Sequence, residues 1–221
     1  MVLEKGGAMA ITHAHVTIGV FVVSISFGLL IYFVVADQPN KKRYMEQIFS
    51  QLMNFIIYLW IGKILLNLTL FIKEPMTILA YPSDSNAFYL AVLFSIVTVG
   101  IQVQRKKIDI VPFLQAFITV FLLSSFMYEF IQIVWNDHLY SIQYMGFLVF
   151  LIIVLITLRS YPTMYVSNIV MVIGWTLGMW GLSYMMPITM IFNYTIASWF
   201  LELFFVFCLF VIIFNRRKKV S

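Results

Sequence analysis

Long apolar stretches separated by brief polar punctuation run the length of this chain and set its architecture before any single residue is weighed. A helix needs roughly 20 mostly apolar residues to cross a hydrocarbon core about 30 Å thick. The pattern predicts seven such helices, at about 10–36, 49–72, 86–104, 110–135, 140–158, 164–186 and 191–214. The junction between the fourth and fifth is the least marked, because WNDHLY offers few polar residues before apolar sequence resumes, and six spans is the alternative there. The expected fold class is an all-α integral membrane protein with seven transmembrane helices. It forms a single polytopic domain over residues 1–221, with no segment left for a soluble domain.

Composition strengthens this picture. Charged residues make up 10% of the chain against about 25% in a soluble domain, and the mean hydropathy is +0.98. The single cysteine, Cys208, excludes an intrachain disulfide, a CxxC redox pair and a cysteine-rich metal site. The N-terminal apolar run is too long for a signal-peptide core and has no small-residue cleavage site, so it is expected to stay as the first helix.

Charge then orients the bundle, because short loops rich in Lys and Arg remain cytoplasmic. Lys41, Lys42 and Arg43 fall in the first predicted loop, Arg105, Lys106 and Lys107 in the third, Arg159 in the fifth, and Arg216, Arg217, Lys218 and Lys219 in the tail. The opposite side carries only Lys5 and Lys73. Seven spans with the N-terminus outside and the C-terminus cytoplasmic satisfy this distribution, whereas six break it in the second half. The net charge of +5 therefore reports topology and contact with anionic headgroups, and gives no reason to expect nucleic-acid binding.

Three charged residues lie inside the predicted spans, where each is costly enough to be a functional hypothesis. They are Lys63 in the second helix, Glu129 in the fourth and Glu202 in the seventh. Spacing leaves two interpretations open. In one, the three line a polar cavity that opens outward, with His13, His15 and Tyr89 near its mouth. In the other, Lys63 pairs with Glu129 or Glu202 and the set fastens helices together. His13 and His15 are two residues apart and so lie on different helix faces, which argues for interfacial solvation and against a joint metal site. No metal or cofactor is expected. Gly174, Gly178 and Gly181 give a GxxxG motif with an extra small position, suited to close helix packing. The sequons at Asn67 and Asn193 sit in or beside apolar spans and are read as chance matches, and Pro112 falls in the tolerant first turn of the fourth helix. No P-loop, GxSxG, HExxH or dinucleotide motif occurs.

Three stretches bring a family into view. Ile61 to Phe71, IGKILLNLTLF, is similar to a Gly-Gly-Arg-Ile-Gly-Tyr-Val-Leu-Phe segment, with Lys63 at the arginine position. In KEPMTILAYPSDSNAFYLAVLF, Asp84 and Ser85 stand where a Gly-Gly-Leu-Ser-Phe-His-Gly-Gly motif has its first two glycines, Phe88 matches, and Tyr89 takes the place of the histidine. A basic QRKK turn and Asp109 follow at similar spacing. SFMYEFIQIV is set against Gly-Arg-x-Gly-Asn-Phe-x-Asn-x-Glu, placing Ser125 and Tyr128 at the glycines, Phe126 at the arginine, Glu129 and Gln132 at the asparagines, and Val134 at the glutamate. From Ile18 to Trp135, and more loosely beyond, the chain resembles the prolipoprotein diacylglyceryl transferases of the bacterial plasma membrane.

That resemblance implies a seven-span scaffold, a pocket-facing Glu129, and a pocket for phosphatidylglycerol, whose diacylglyceryl group the family transfers to a lipobox cysteine. It also implies lost chemistry. The signature arginine is Phe126, the motif histidine is Tyr89, and VIGWTLGMWGLSYMM lacks the arginine and glutamate usual near there, although cationic groups are needed to hold the lipid phosphate. The expected function is a catalytically silent relative that binds a phospholipid, a signal-peptide-like helix or a membrane-protein or lipoprotein-precursor partner. Its expected ligand-binding residues are Lys63, Tyr89, Glu129, Gln132, Glu202 and His15. An active transferase using Tyr89 and Glu129 as catalytic groups is the first alternative, and a small transporter or channel the second.

Overall fold

In hydrocarbon every backbone polar group must be satisfied within the protein, and a helix does this inside one segment. The structure, a computed structural model, describes residues 2–74, 85–136, 139–159, 164–185, 189–192 and 194–207, with the backbone alone described at 2–17, 136 and 139–141. The elements are α1 (Val2–Val35), α2 (Lys41–Leu66), α3 (Leu68–Lys73), α4 (Ser85–Gln104), α5 (Ile110–Asn136), α6 (Leu139–Leu158), α7 (Met164–Met185), an antiparallel hairpin of β1 (Met190–Ile191) and β2 (Tyr194–Thr195), and α8 (Ser198–Phe207). Among the described residues, five helices are long and apolar enough to cross a membrane: Ile18–Val35 of α1, then α2, α4, Ile110–Trp135 of α5, and α7. Ile142–Leu158 and Ser198–Phe207 are shorter apolar helices. Cys208, Asn193, Asp84, the junction residues Asp137 and His138 and the basic tail lie outside the described residues, as do the side chains of Lys5, His13 and His15.

The fifth helix is the hub. It packs most extensively against α1 and also against α6, α7 and α2, while α2 lies along α4. Small residues set the α1–α5 approach. Ser24 is fully buried and turns its hydroxyl back to the Val20 carbonyl at 2.7 Å. One turn on, Gly28 meets the backbone of α5 so closely that a Cβ would stand 2.8 Å from the Val120 carbonyl oxygen and clash with the Ser124 hydroxyl. Tyr32 and Ala36 continue the stripe onto Phe113 and Ala116. Between α2 and α4, Gly62 faces the fully buried Ala87, and two side-chain bonds fix the register: Gln51 Nε2 to Gln102 Oε1 at 2.8 Å, and Tyr58 with Thr98 at 2.6 Å. Of the three glycines in α7, Gly178 seats the Phe147 ring of α6, Gly174 makes ordinary contact with Leu151, and Gly181 has open space before it.

Two elements depart from the predicted boundaries. The second helix starts at Lys41 and not near 49, because Tyr44 and Ile48 bury against Tyr32, Ala36, Ile108 and Phe113 while Lys42, Arg43 and Glu46 stay outside. It also breaks at Asn67, whose Nδ2 bonds the Lys63 carbonyl at 3.1 Å and so competes with the backbone ladder before the short α3 begins. The last apolar run, expected to be helical from 191, opens instead with the hairpin and turns helical only at Ser198. The fourth and fifth predicted helices are separate elements packed against each other.

Candidate functional site

Glu129 lies in the last third of α5 and is only 6% exposed. Its own helix places Ser125 one turn before it, with Tyr128 and Gln132 beside it, and Gln132 Nε2 donates to the Tyr128 hydroxyl at 2.9 Å. From α6, Tyr144 approaches the same region: its hydroxyl lies against Ser125 and the Trp175 indole of α7, with Glu129 near enough to act on it electrostatically. The Tyr144 hydroxyl, Ser125 Oγ and Trp175 Nε1 are buried without a hydrogen-bond partner among the described residues. Ser125 and Tyr144 are 2% and 5% exposed. Leaving a buried donor or acceptor unsatisfied costs about 1–3 kcal/mol per group, so these two hydroxyls and the indole form an expensive arrangement within the bundle.

A second feature adjoins it. Residues 189–192 and 194–197 are non-helical and pack into the bundle, and hydrocarbon tolerates such backbone only where protein covers it. Among its described residues the backbone is tied by the Met190–Thr195 and Ile191–Tyr194 pairing, by Ile196 N donating to the Thr189 carbonyl at 2.8 Å, and by Ala197 N donating to the Tyr89 hydroxyl at 2.9 Å. The same hydroxyl donates to the Thr195 carbonyl at 3.4 Å. At the tip, Phe192 has φ +48°, an uncommon left-handed conformation for a bulky side chain. Its ring is held edge-on by Phe21 of α1 and by Phe121 and Tyr128 of α5. Tyr194 stacks on Phe88, and Tyr89 stacks on Phe200 of α8. Thr189, Ile191 and Ile196 are buried.

At the other end of the bundle the basic loops gather. Lys106 adopts φ +56° just past α4, and the bonds from Lys106 N to Val103 O and Lys107 N to Gln102 O close the helix in a Schellman turn. The turned-out Lys107 carbonyl accepts from both Arg43 Nη2 and Gln47 Nε2 at 3.2 Å, while Arg159 Nη2 donates to the Val35 carbonyl at the end of α1. A cation against these unsatisfied carbonyls also complements the helix dipole. Lys41 sits over the Phe33 ring, 5.0 Å from its centroid.

The sequence-derived residues come from several elements. Glu129 and Gln132 stand together on α5, joined by Ser125, Tyr128, Tyr144 and Trp175, four residues whose polarity the sequence showed but whose convergence it did not. Tyr89 belongs to the hairpin junction, and the hairpin links it to the first group through Phe192 on Tyr128 and Tyr194 on Phe88. Glu202 is exposed on α8 in a groove against α7, and Lys63 is half-buried in the last turn of α2. His15 lies on α1 with its side chain outside the described residues. Among the described residues no group of three or more His, Cys, Asp or Glu could hold a metal. The class defined by these elements is a multi-pass helical membrane protein with a polar interior beside an inserted hairpin. Comparison with protein-family models, curated proteins and solved structures yields no match.

Proposed function

We propose that this protein is a non-catalytic binder of the polar end of a membrane phospholipid, built on a scaffold like that of the prolipoprotein diacylglyceryl transferases. The observation that carries this reading is the buried Glu129 within electrostatic reach of Tyr144, whose hydroxyl, with the neighbouring Ser125 hydroxyl and Trp175 indole, is buried without a hydrogen-bond partner among the described residues. A carboxylate repels a phosphate but accepts hydroxyl donors well. The glycerol head of phosphatidylglycerol fits this chemistry: its hydroxyls donate to Glu129 and accept from Ser125, Tyr144 and Trp175, while its phosphate stays nearer the interface. The engagement of the Tyr89 hydroxyl with Ala197 and Thr195 supports a structural and not a catalytic use of that residue.

The proposed setting is a bacterial plasma membrane, crossed seven times, with the N-terminus outside and the C-terminus cytoplasmic. The hairpin and α8 together make the seventh crossing, and the gathered basic loops face the cytoplasm.

Lipid retained after purification in mild detergent, identified by mass spectrometry, tests the binding. Phosphatidylglycerol is expected with the natural protein and to fall about tenfold or more in Glu129→Gln, the loss for one hydrogen bond to a charged group. Equal retention by both proteins at unchanged melting temperature would make the cluster purely structural. Transfer of labelled diacylglyceryl to a lipobox peptide would restore the enzymatic alternative.

A further inference from the structure

On the outer wall of the bundle, α7 and α8 enclose a groove of about 220 Å³ lined by Leu177, Trp180, Leu201, Phe205 and Val206, with Glu202 among them. Leu177, Trp180 and Val206 are 47%, 40% and 61% exposed, so the groove opens sideways. The buried Thr176 at its floor spends its hydroxyl on the Val172 carbonyl of its own helix and leaves none for Glu202. No described residue forms a hydrogen bond or ion pair with Glu202.

Depth makes that exposure informative. Counting from Met164 at 1.5 Å per residue, the Thr176–Trp180 stretch of α7 lies roughly 18–24 Å along a helix about 33 Å long, which places Glu202 within the hydrocarbon. A carboxylate there is costly and typically faces a partner or a polar path, not lipid tails. A lipid ammonium group would have to leave the interface to reach it, whereas a side chain on another helix arrives at this depth directly. Gly181, one turn beyond Leu177 and also exposed, has no atom within 4 Å of where its Cβ would stand, leaving room for a second backbone to come close.

We infer that this groove docks a transmembrane helix of a partner protein, which brings a cationic side chain to Glu202. The Leu177, Trp180 and Phe205 walls supply packing, Gly181 permits close approach, and the carboxylate selects the partner and fixes its register. The site lies apart from the Glu129 cluster and does not depend on the lipid-binding reading.

The test uses the full chain in phosphatidylcholine vesicles, with a photo-crosslinking residue in place of Leu177. The probes are two synthetic Leu/Ala helices of about 22 residues, one with a central Lys and one with a central Leu. Crosslinking to the Lys helix is expected to exceed that to the Leu helix about three- to tenfold, the range for one polar contact between membrane helices. Glu202→Gln should erase the difference, and Glu202→Lys should transfer the preference to a third helix with a central Glu. Equal yields with the Lys and Leu helices, adducts only with lipid, or adducts only with a second copy of the chain would each overturn the inference.

Discussion

Gly28 and Gly181 are chemically identical, and the same substitution should act on them in opposite ways. At Gly28 an added methyl group meets the Val120 carbonyl and Ser124 backbone of α5, and neither can move without shifting the hub helix. Overpacking of this kind costs about 1–3 kcal/mol. At Gly181 the space is open, and alanine gains roughly 0.5–1 kcal/mol of helix propensity. Gly28→Ala should therefore lower the melting temperature of the detergent-solubilised protein, while Gly181→Ala should leave it unchanged or raise it. A melt followed by size-exclusion chromatography reads both. Glu129 makes the companion point. Its placement in an apolar run announced a special position, and the structure buries it. What could not be read was its company, since Tyr144 and Trp175 come from helices whose rotation only packing fixes.

At the scale of the element, the hairpin rests on Tyr89 and Phe192. Tyr89→Phe keeps the ring stack on Phe200 but removes the acceptor for Ala197 N and the donor to Thr195 O. One such bond is worth about 1 kcal/mol net, so hydrogen exchange of the segment around Ala197 should quicken by roughly five- to tenfold. Unchanged exchange would mean that the aromatic contacts alone hold the junction. Phe192→Ala should be the harsher change, since it empties the cage formed by Phe21, Phe121 and Tyr128 without relieving the positive φ. Because Phe192 is half-buried, a loss of about 2–3 kcal/mol is expected, below the ~3–5 kcal/mol of an aromatic truncated in a packed core. The sequence pattern took this region for the start of a helix because a short apolar run has the same composition in a buried strand and a buried helix. Ile, Phe, Tyr and Ile across residues 191–196, after Pro187, were the available sign.

For the whole molecule, the basic turns after α4 and α6 and at the start of α2 share one end, tied by Arg43 to Lys107 and by Arg159 to Val35. Glu74, just past α3, stands at the far end of α2 from Lys41. In a Cys208→Ser background, Lys42→Cys and Arg105→Cys should react with a membrane-impermeant maleimide only after cells are opened. Glu74→Cys should react in intact cells. Labelling of all three from outside, or the reverse pattern, would refute the proposed orientation.

Hydrophobic run length by itself determined that the chain is a bundle of apolar helices, where most of them lie, and which turns carry the basic residues. These are one-dimensional quantities, set by the cost of backbone and charge in hydrocarbon. Tertiary structure alone decided that α5 is the hub, that Gly28 and not Gly181 marks a tight crossing, and that part of the last apolar run leaves the helix to enter the bundle. The reason is physical: composition fixes whether a side chain avoids water, but inside a uniformly apolar chain it does not fix which face meets protein and which meets lipid. Only close packing makes that choice, and it is the choice that gathers Ser125, Glu129, Tyr144 and Trp175 into one place.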